Sequence, residues 1–79
     1  MSNFTVDFVS PVEYEYLAAE ISYEGQLVCR IRAEKAQLEL EFFFEFRMPI
    51  VPLAVPLEEF MKLVSELAEE VKSLRAQQT

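Results

Sequence analysis

Tyr14-Glu-Tyr-Leu-Ala-Ala-Glu-Ile-Ser-Tyr-Glu-Gly-Gln-Leu-Val-Cys-Arg-Ile-Arg-Ala-Glu34 is the stretch that decides the fold. Its apolar residues return every second position. From Tyr14 to Tyr23, Leu17, Ala19, Ile21 and Tyr23 share one face, opposite Tyr14, Tyr16, Ala18, Glu20 and Ser22. From Gln26 to Glu34, Leu27, Cys29, Ile31 and Ala33 oppose Val28, Arg30, Arg32 and Glu34. A period of two is the mark of half-buried antiparallel strands. Between the runs stands Glu24-Gly25, with the chain's one glycine. A glycine supplies the positive φ that a tight two-residue turn requires, so the stretch predicts a β-hairpin.

Working outward, a second turn around residues 34–37 leads to Leu38–Met48, where the alternation is strongest. Leu38, Leu40, Phe42, Phe44, Phe46 and Met48 occupy one face; Glu39, Glu41, Phe43, Glu45 and Arg47 occupy the other. Phe4–Val9 predicts a shorter N-terminal strand before Pro11. Pro49, Pro52 and Pro56 confine the segment between them to at most a short edge strand, because proline donates nothing to a ladder. Beyond Pro56 the period changes. Leu57, Phe60, Met61, Val64, Leu67, Ala68, Val71 and Leu74 recur at three and four residues, the apolar stripe of a helix. Pro56 suits its start, Glu58 and Glu59 its positive end, and Arg75 its negative end. Glu58 and Lys62 have the spacing of a favourable helical ion pair.

The expected fold is α+β: a three- to four-stranded antiparallel meander, strands within residues 4–55, with one C-terminal helix at about 57–76 packed on its apolar face. Phe42, Phe44 and Phe46 are the expected floor for the helix. The chain of 79 residues makes one domain with a thin core.

Composition narrows the function. The chain has no His, so no Ser-His or Cys-His nucleophile can be assembled. Cys29, the single cysteine, cannot form an intrachain disulfide or a structural zinc site, and its place on an apolar face reads as core. Neither a metal nor a cofactor is expected, and no enzyme activity. Fourteen acidic residues oppose seven basic ones, for a net charge of −7. Such a surface repels nucleic acid and anionic membranes and draws basic partners, although the same acidity also keeps a 52% apolar chain soluble. No secretion signal is evident and the longest apolar run, Met48–Leu57, is too short to span a bilayer, so a cytoplasmic location is expected. That uncharged run folds over the core or meets a partner, and a homodimer through it or through a sheet edge is compatible with the pattern.

The candidate partner-binding residues are Glu39, Glu41, Phe43 and Glu45, on the outer face of the third run, with Tyr14 and Tyr16 beside them. Two readings stand. The strip is an acidic interface anchored by an aromatic, or Arg30 and Arg32 on the neighbouring strand pair with its carboxylates and Tyr14 or Tyr16 covers Phe43.

The stretch from Tyr14 to Ile31, followed by Leu38-Glu-Leu-Glu-Phe-Phe43 and Val55-Pro-Leu-Glu-Glu-Phe60, resembles small bacterial immunity proteins of contact-dependent growth inhibition and related polymorphic toxin systems. The likeness runs from about Glu13 to Leu74. It implies a protein that binds the C-terminal toxic domain of a cognate effector, often a nuclease, and blocks its active site or substrate path. The alternative reading is a homo-oligomeric structural or adaptor domain without a toxin partner.

Overall fold

The computed structural model describes residues 3–43 and 53–78. Among these, the chain forms β1 (Phe4–Val9), β2 (Ala18–Tyr23), β3 (Gln26–Arg32), β4 (Glu39–Phe42) and α1 (Leu57–Gln78). The strands make one antiparallel sheet in the order β1-β2-β3-β4, a meander, with the helix packed on it. This is the α+β architecture that the alternation and the helical stripe call for.

The hairpin closes as its sequence requires. Tyr23 pairs with Gln26 across a two-residue turn, and both turn residues have positive φ, Glu24 at 49° and Gly25 at 82°. That geometry matches the right-handed twist of the flanking strands. One departure follows at once. Ile21 pairs with Cys29 but Ser22 pairs with Leu27, so Val28 is an extra residue, a β-bulge. The bulge inverts the alternation at this end of β3. Val28 packs against the core, and Leu27 stands opposite Ser22, the reverse of the faces expected for both.

The core face carries Ala19, Ile21, Cys29, Ile31 and Ala33, and the helix covers it with Leu67 and Val71. Phe60, Leu63 and Val64 extend the contact, and Phe4 stacks at 4.7 Å on Tyr23 and at 6.0 Å on Phe60. Of the expected Phe-rich floor, Phe42 is described, and the helix does not sit over it. Leu40 and Phe42 lie on the same face but on the edge strand β4, and Phe42 is 51% exposed. The helix is seated on the central strands β2 and β3, where apolar residues on both flanks bury most area. Phe44, Phe46 and Met48 lie outside the described residues, as does most of the Met48–Leu57 run. Of its described part, Leu53 and Leu57 are exposed.

The helix starts after Pro56, whose carbonyl accepts the amide of Phe60, with Glu58 and Glu59 in the first turn and Arg75 in the last. Its direction is set by contacts at both ends. Phe60 meets Phe4 at the start of β1, and the Gln78 side chain accepts the Leu17 amide just before β2. Since Val9 pairs with Ala18, α1 runs the same way as β1. No helix among the described residues is long and apolar enough to cross a membrane.

Candidate protein-binding site

Tyr14 and Tyr16 are not on a strand. β2 begins at Ala18, four residues later than the alternation suggests. The backbone amides of Glu15 and Tyr16 donate to the two carboxylate oxygens of Glu34, at 2.8 and 2.9 Å, and Leu17 donates to Gln78. These amides are satisfied by side chains from distant parts of the chain, so the segment is held as a loop instead of lengthening the ladder. The loop carries Tyr14 over the outer face of β3 and β4.

There Arg30 is the hub. It faces Glu20 on β2 and Glu41 on β4, which are its cross-strand neighbours on either side. Its Nε and Nη2 donate to Glu20, and its Nη1 donates to Glu41 at 3.2 Å and to the Tyr14 hydroxyl at 3.1 Å. Its guanidinium also lies 5.4 Å from the Tyr14 ring centroid and 4.9 Å from that of Phe43. Arg32 donates to the Tyr14 hydroxyl at 3.1 Å and pairs with Glu41 at 3.3 Å. Its Nε faces Glu39 Oε1 at 3.4 Å, a charge contact without hydrogen-bond geometry, and both atoms are buried. Lys35 reaches Glu39 at 3.7 Å. Burial works against the Arg30 charge, but the bonds to Glu20 and Tyr14 outweigh it and hold its pKa above the ordinary guanidinium value.

Of the residues expected to meet a partner, Tyr14, Glu39, Glu41 and Phe43 are therefore brought together, around two arginines. Tyr16 is turned elsewhere, with the Arg75 guanidinium 4.8 Å from its ring centroid. Glu45 lies outside the described residues. Among the described residues, Glu20, Glu39 and Glu41 are matched by Arg30 and Arg32 across the strands and by Lys35 from the turn before β4, three of each sign.

The opposite side of the molecule is different. Glu59, Glu66 and Glu70 are exposed on one flank of α1 and, among the described residues, take part in no ion pair. Lys62 stands among them unpaired; the expected Glu58–Lys62 contact does not form, and the helical ion pair that does form is Lys72–Glu69. This flank overlooks β1. Phe4, Val6 and Leu63 line an open groove of about 350 Å³, with Glu59, Glu66 and Lys62 at its wall. The spacing of Glu59, Glu66 and Glu70 by seven and four residues already puts them on one flank.

Cys29 is fully buried, and burial pushes its thiol up to about 11, which suits a small core hydrophobe. No group of three or more His, Cys, Asp or Glu among the described residues is placed to hold a metal ion. No family model, no curated protein and no solved structure matches the chain.

Proposed function

We propose that this chain is a binding protein that captures a basic protein domain, in the manner of a small immunity protein neutralising its cognate toxin. The supporting observation is the pairing of charge. Acids outnumber bases by seven, and among the described residues the carboxylates without a basic partner include Glu59 and Glu66, which with Lys62 line an open groove floored by Phe4, Val6 and Leu63. Apolar area next to unpaired carboxylate is what a basic, partly apolar surface complements, and like-signed repulsion is what it costs this chain to leave them unpaired. A nuclease toxin is a fitting target, because a domain that binds phosphates presents a basic surface.

The test is calorimetric titration against a catalytically inactive toxin domain encoded beside the gene for this chain. Nanomolar binding that weakens as salt is added supports the reading. Absence of binding rejects it.

A second reading rests on the other flank of the helix, where Leu57 (68% exposed) and Met61 (61% exposed) stand out from α1, with Leu40 and Phe42 exposed on β4. In that reading a second copy covers these side chains and the protein is a homo-oligomeric adaptor. Sedimentation at micromolar concentration separates the two: a stable dimer that ignores the toxin domain favours the adaptor.

A further inference from the structure

We propose that residues 10–17 are a strap that opens as a unit while the sheet stays folded, and that Glu34 and the last turn of α1 together latch it over Arg30, Arg32 and Phe43. The inference is independent of the proposed binding role and concerns the outer face of the sheet.

The strap joins β1 to β2, whose last and first residues, Val9 and Ala18, pair with each other. Residues 10–17 lie between them, more than the roughly two to five of an ordinary hairpin loop. Outside the ladder, and among the described residues, its one bond between main-chain groups runs from the Tyr14 amide to the Pro11 carbonyl, inside the strap itself. The hydrogen bonds that tie it to the rest of the molecule are made through side chains.

Those ties form two groups. In the first, Arg30 and Arg32 each donate to the Tyr14 hydroxyl at 3.1 Å, and both guanidinium groups lie within 6 Å of its ring centroid, at 5.4 and 5.8 Å. In the second, one carboxylate, that of Glu34, accepts the amides of both Glu15 and Tyr16, while Gln78 accepts that of Leu17. Arg75 joins the second group from the helix. Its guanidinium lies 4.8 Å from the Tyr16 ring centroid, and its Nη1 donates at 2.6 Å to the carbonyl of Lys35, the residue after Glu34. The end of α1 thus grips the strap and also the turn that carries the latch.

The packing beneath the strap is different from that beneath the sheet. Ala19, Ile21 and Cys29 are fully buried, and no residue of 10–17 belongs to their apolar cluster. Opening the strap therefore breaks a few polar contacts near water and leaves the apolar layer between sheet and helix in place. That is the low-free-energy kind of local opening. It would lift Tyr14 from two arginines and Phe43, side chains of the types that anchor protein interfaces. Closed, the strap roofs them; open, it bares them.

The experiment is native-state hydrogen exchange, followed by NMR on the full ¹⁵N-labelled chain at low denaturant. The amides of Glu15, Tyr16 and Leu17 should exchange together, at least roughly tenfold faster than those at the centre of β2 and β3, and with little dependence on denaturant. Glu34→Gln keeps the shape of the latch but turns a donor toward the strap amides. It should speed exchange of all three roughly ten- to a hundredfold and leave the central strands unchanged. Tyr14→Phe removes a hydroxyl from the first group alone, and Gln78→Ala an acceptor from the second. Because the strap moves as a unit, each should speed the Glu15 and Tyr16 amides roughly three- to tenfold, although their own bonds to Glu34 are untouched. Strap amides that exchange as slowly as the central strands would overturn the proposal, since the strap would then open only with the whole fold. So would Glu15 and Tyr16 amides indifferent to both Tyr14→Phe and Gln78→Ala, which would make the two groups of ties independent.

Discussion

Two regions of this small protein use the same residue type to opposite ends. On the outer face of the sheet, Glu20, Glu39 and Glu41 are partly buried and each has an arginine or lysine partner. On the flank of α1, Glu59, Glu66 and Glu70 stand in solvent without one among the described residues. The first set holds strands together and closes the Tyr14 loop over them. The second makes no ion pair among the described residues, and of its members only Glu59 serves the fold, in the first turn of the helix. A carboxylate's role is thus decided by what faces it, and an acidic strip in a sequence is not yet an acidic surface.

The comparison can be broken from several directions. The largest effect belongs to the layer on which both regions depend. Leu67→Ala removes a buried side chain between the helix and the sheet and should cost about 2–5 kcal/mol, seen as a lower urea midpoint. In a 79-residue chain that cost is enough to leave much of the population unfolded at ambient temperature.

Next comes the hub. Arg30→Ala leaves Glu20 without its basic partner, leaves Glu41 with Arg32 alone, and removes a donor from the Tyr14 hydroxyl. The expected loss is about 2–3 kcal/mol, less than for a fully enclosed pair because the arginine keeps some contact with water. A midpoint within 0.5 kcal/mol of wild type would mean that the outer-face charges do no more than decorate the sheet.

The third effect is a pH dependence. The Cys29 thiol ionises near 9 in the unfolded chain and near 11 in the folded one. Between those values the folded state holds a proton that the unfolded state has lost. Stability is therefore intact below pH 9 and falls as pH rises, by roughly 1.4 kcal/mol per pH unit. Denaturant titrations of wild type and Cys29→Ala from pH 8 to pH 11 should diverge in slope. Parallel curves would show that the thiol is not the group responsible.

The smallest effect is the sharpest contrast. Glu59→Gln and Glu66→Gln should change stability by less than about 0.5 kcal/mol, or raise it slightly by relieving repulsion along the helix. If either cost as much as Arg30→Ala, the carboxylates of the flank would belong to the fold after all, and the division between the two regions would fail.

Much of the architecture was legible because it rests on short-range pattern. The period of two through Ala19, Ile21, Cys29, Ile31 and Ala33 named the buried face, Glu24-Gly25 named the turn, and the stripe from Phe60 to Val71 named the helix. The misses share a cause. Val28 bulges because β2 and β3 accommodate each other across the hairpin, and alternation within one strand does not register an extra residue in its partner. Tyr14 and Tyr16 leave the ladder because Glu34 and Gln78, eighteen and more residues away, take the amides a strand would have used. Phe42 stays half exposed because a helix of one stripe covers the middle of a four-stranded sheet and not its edge.

By itself the sequence determined the class of the protein: its strands, its hairpin, its helix and its excess of acid, since each follows from neighbouring residues and a fixed backbone period. Only the tertiary structure decided which acids are spent within the molecule and which face outward. Charge pairing depends on distances of a few ångströms between residues far apart in the chain, and those distances exist only once the sheet has formed and the helix has settled on it.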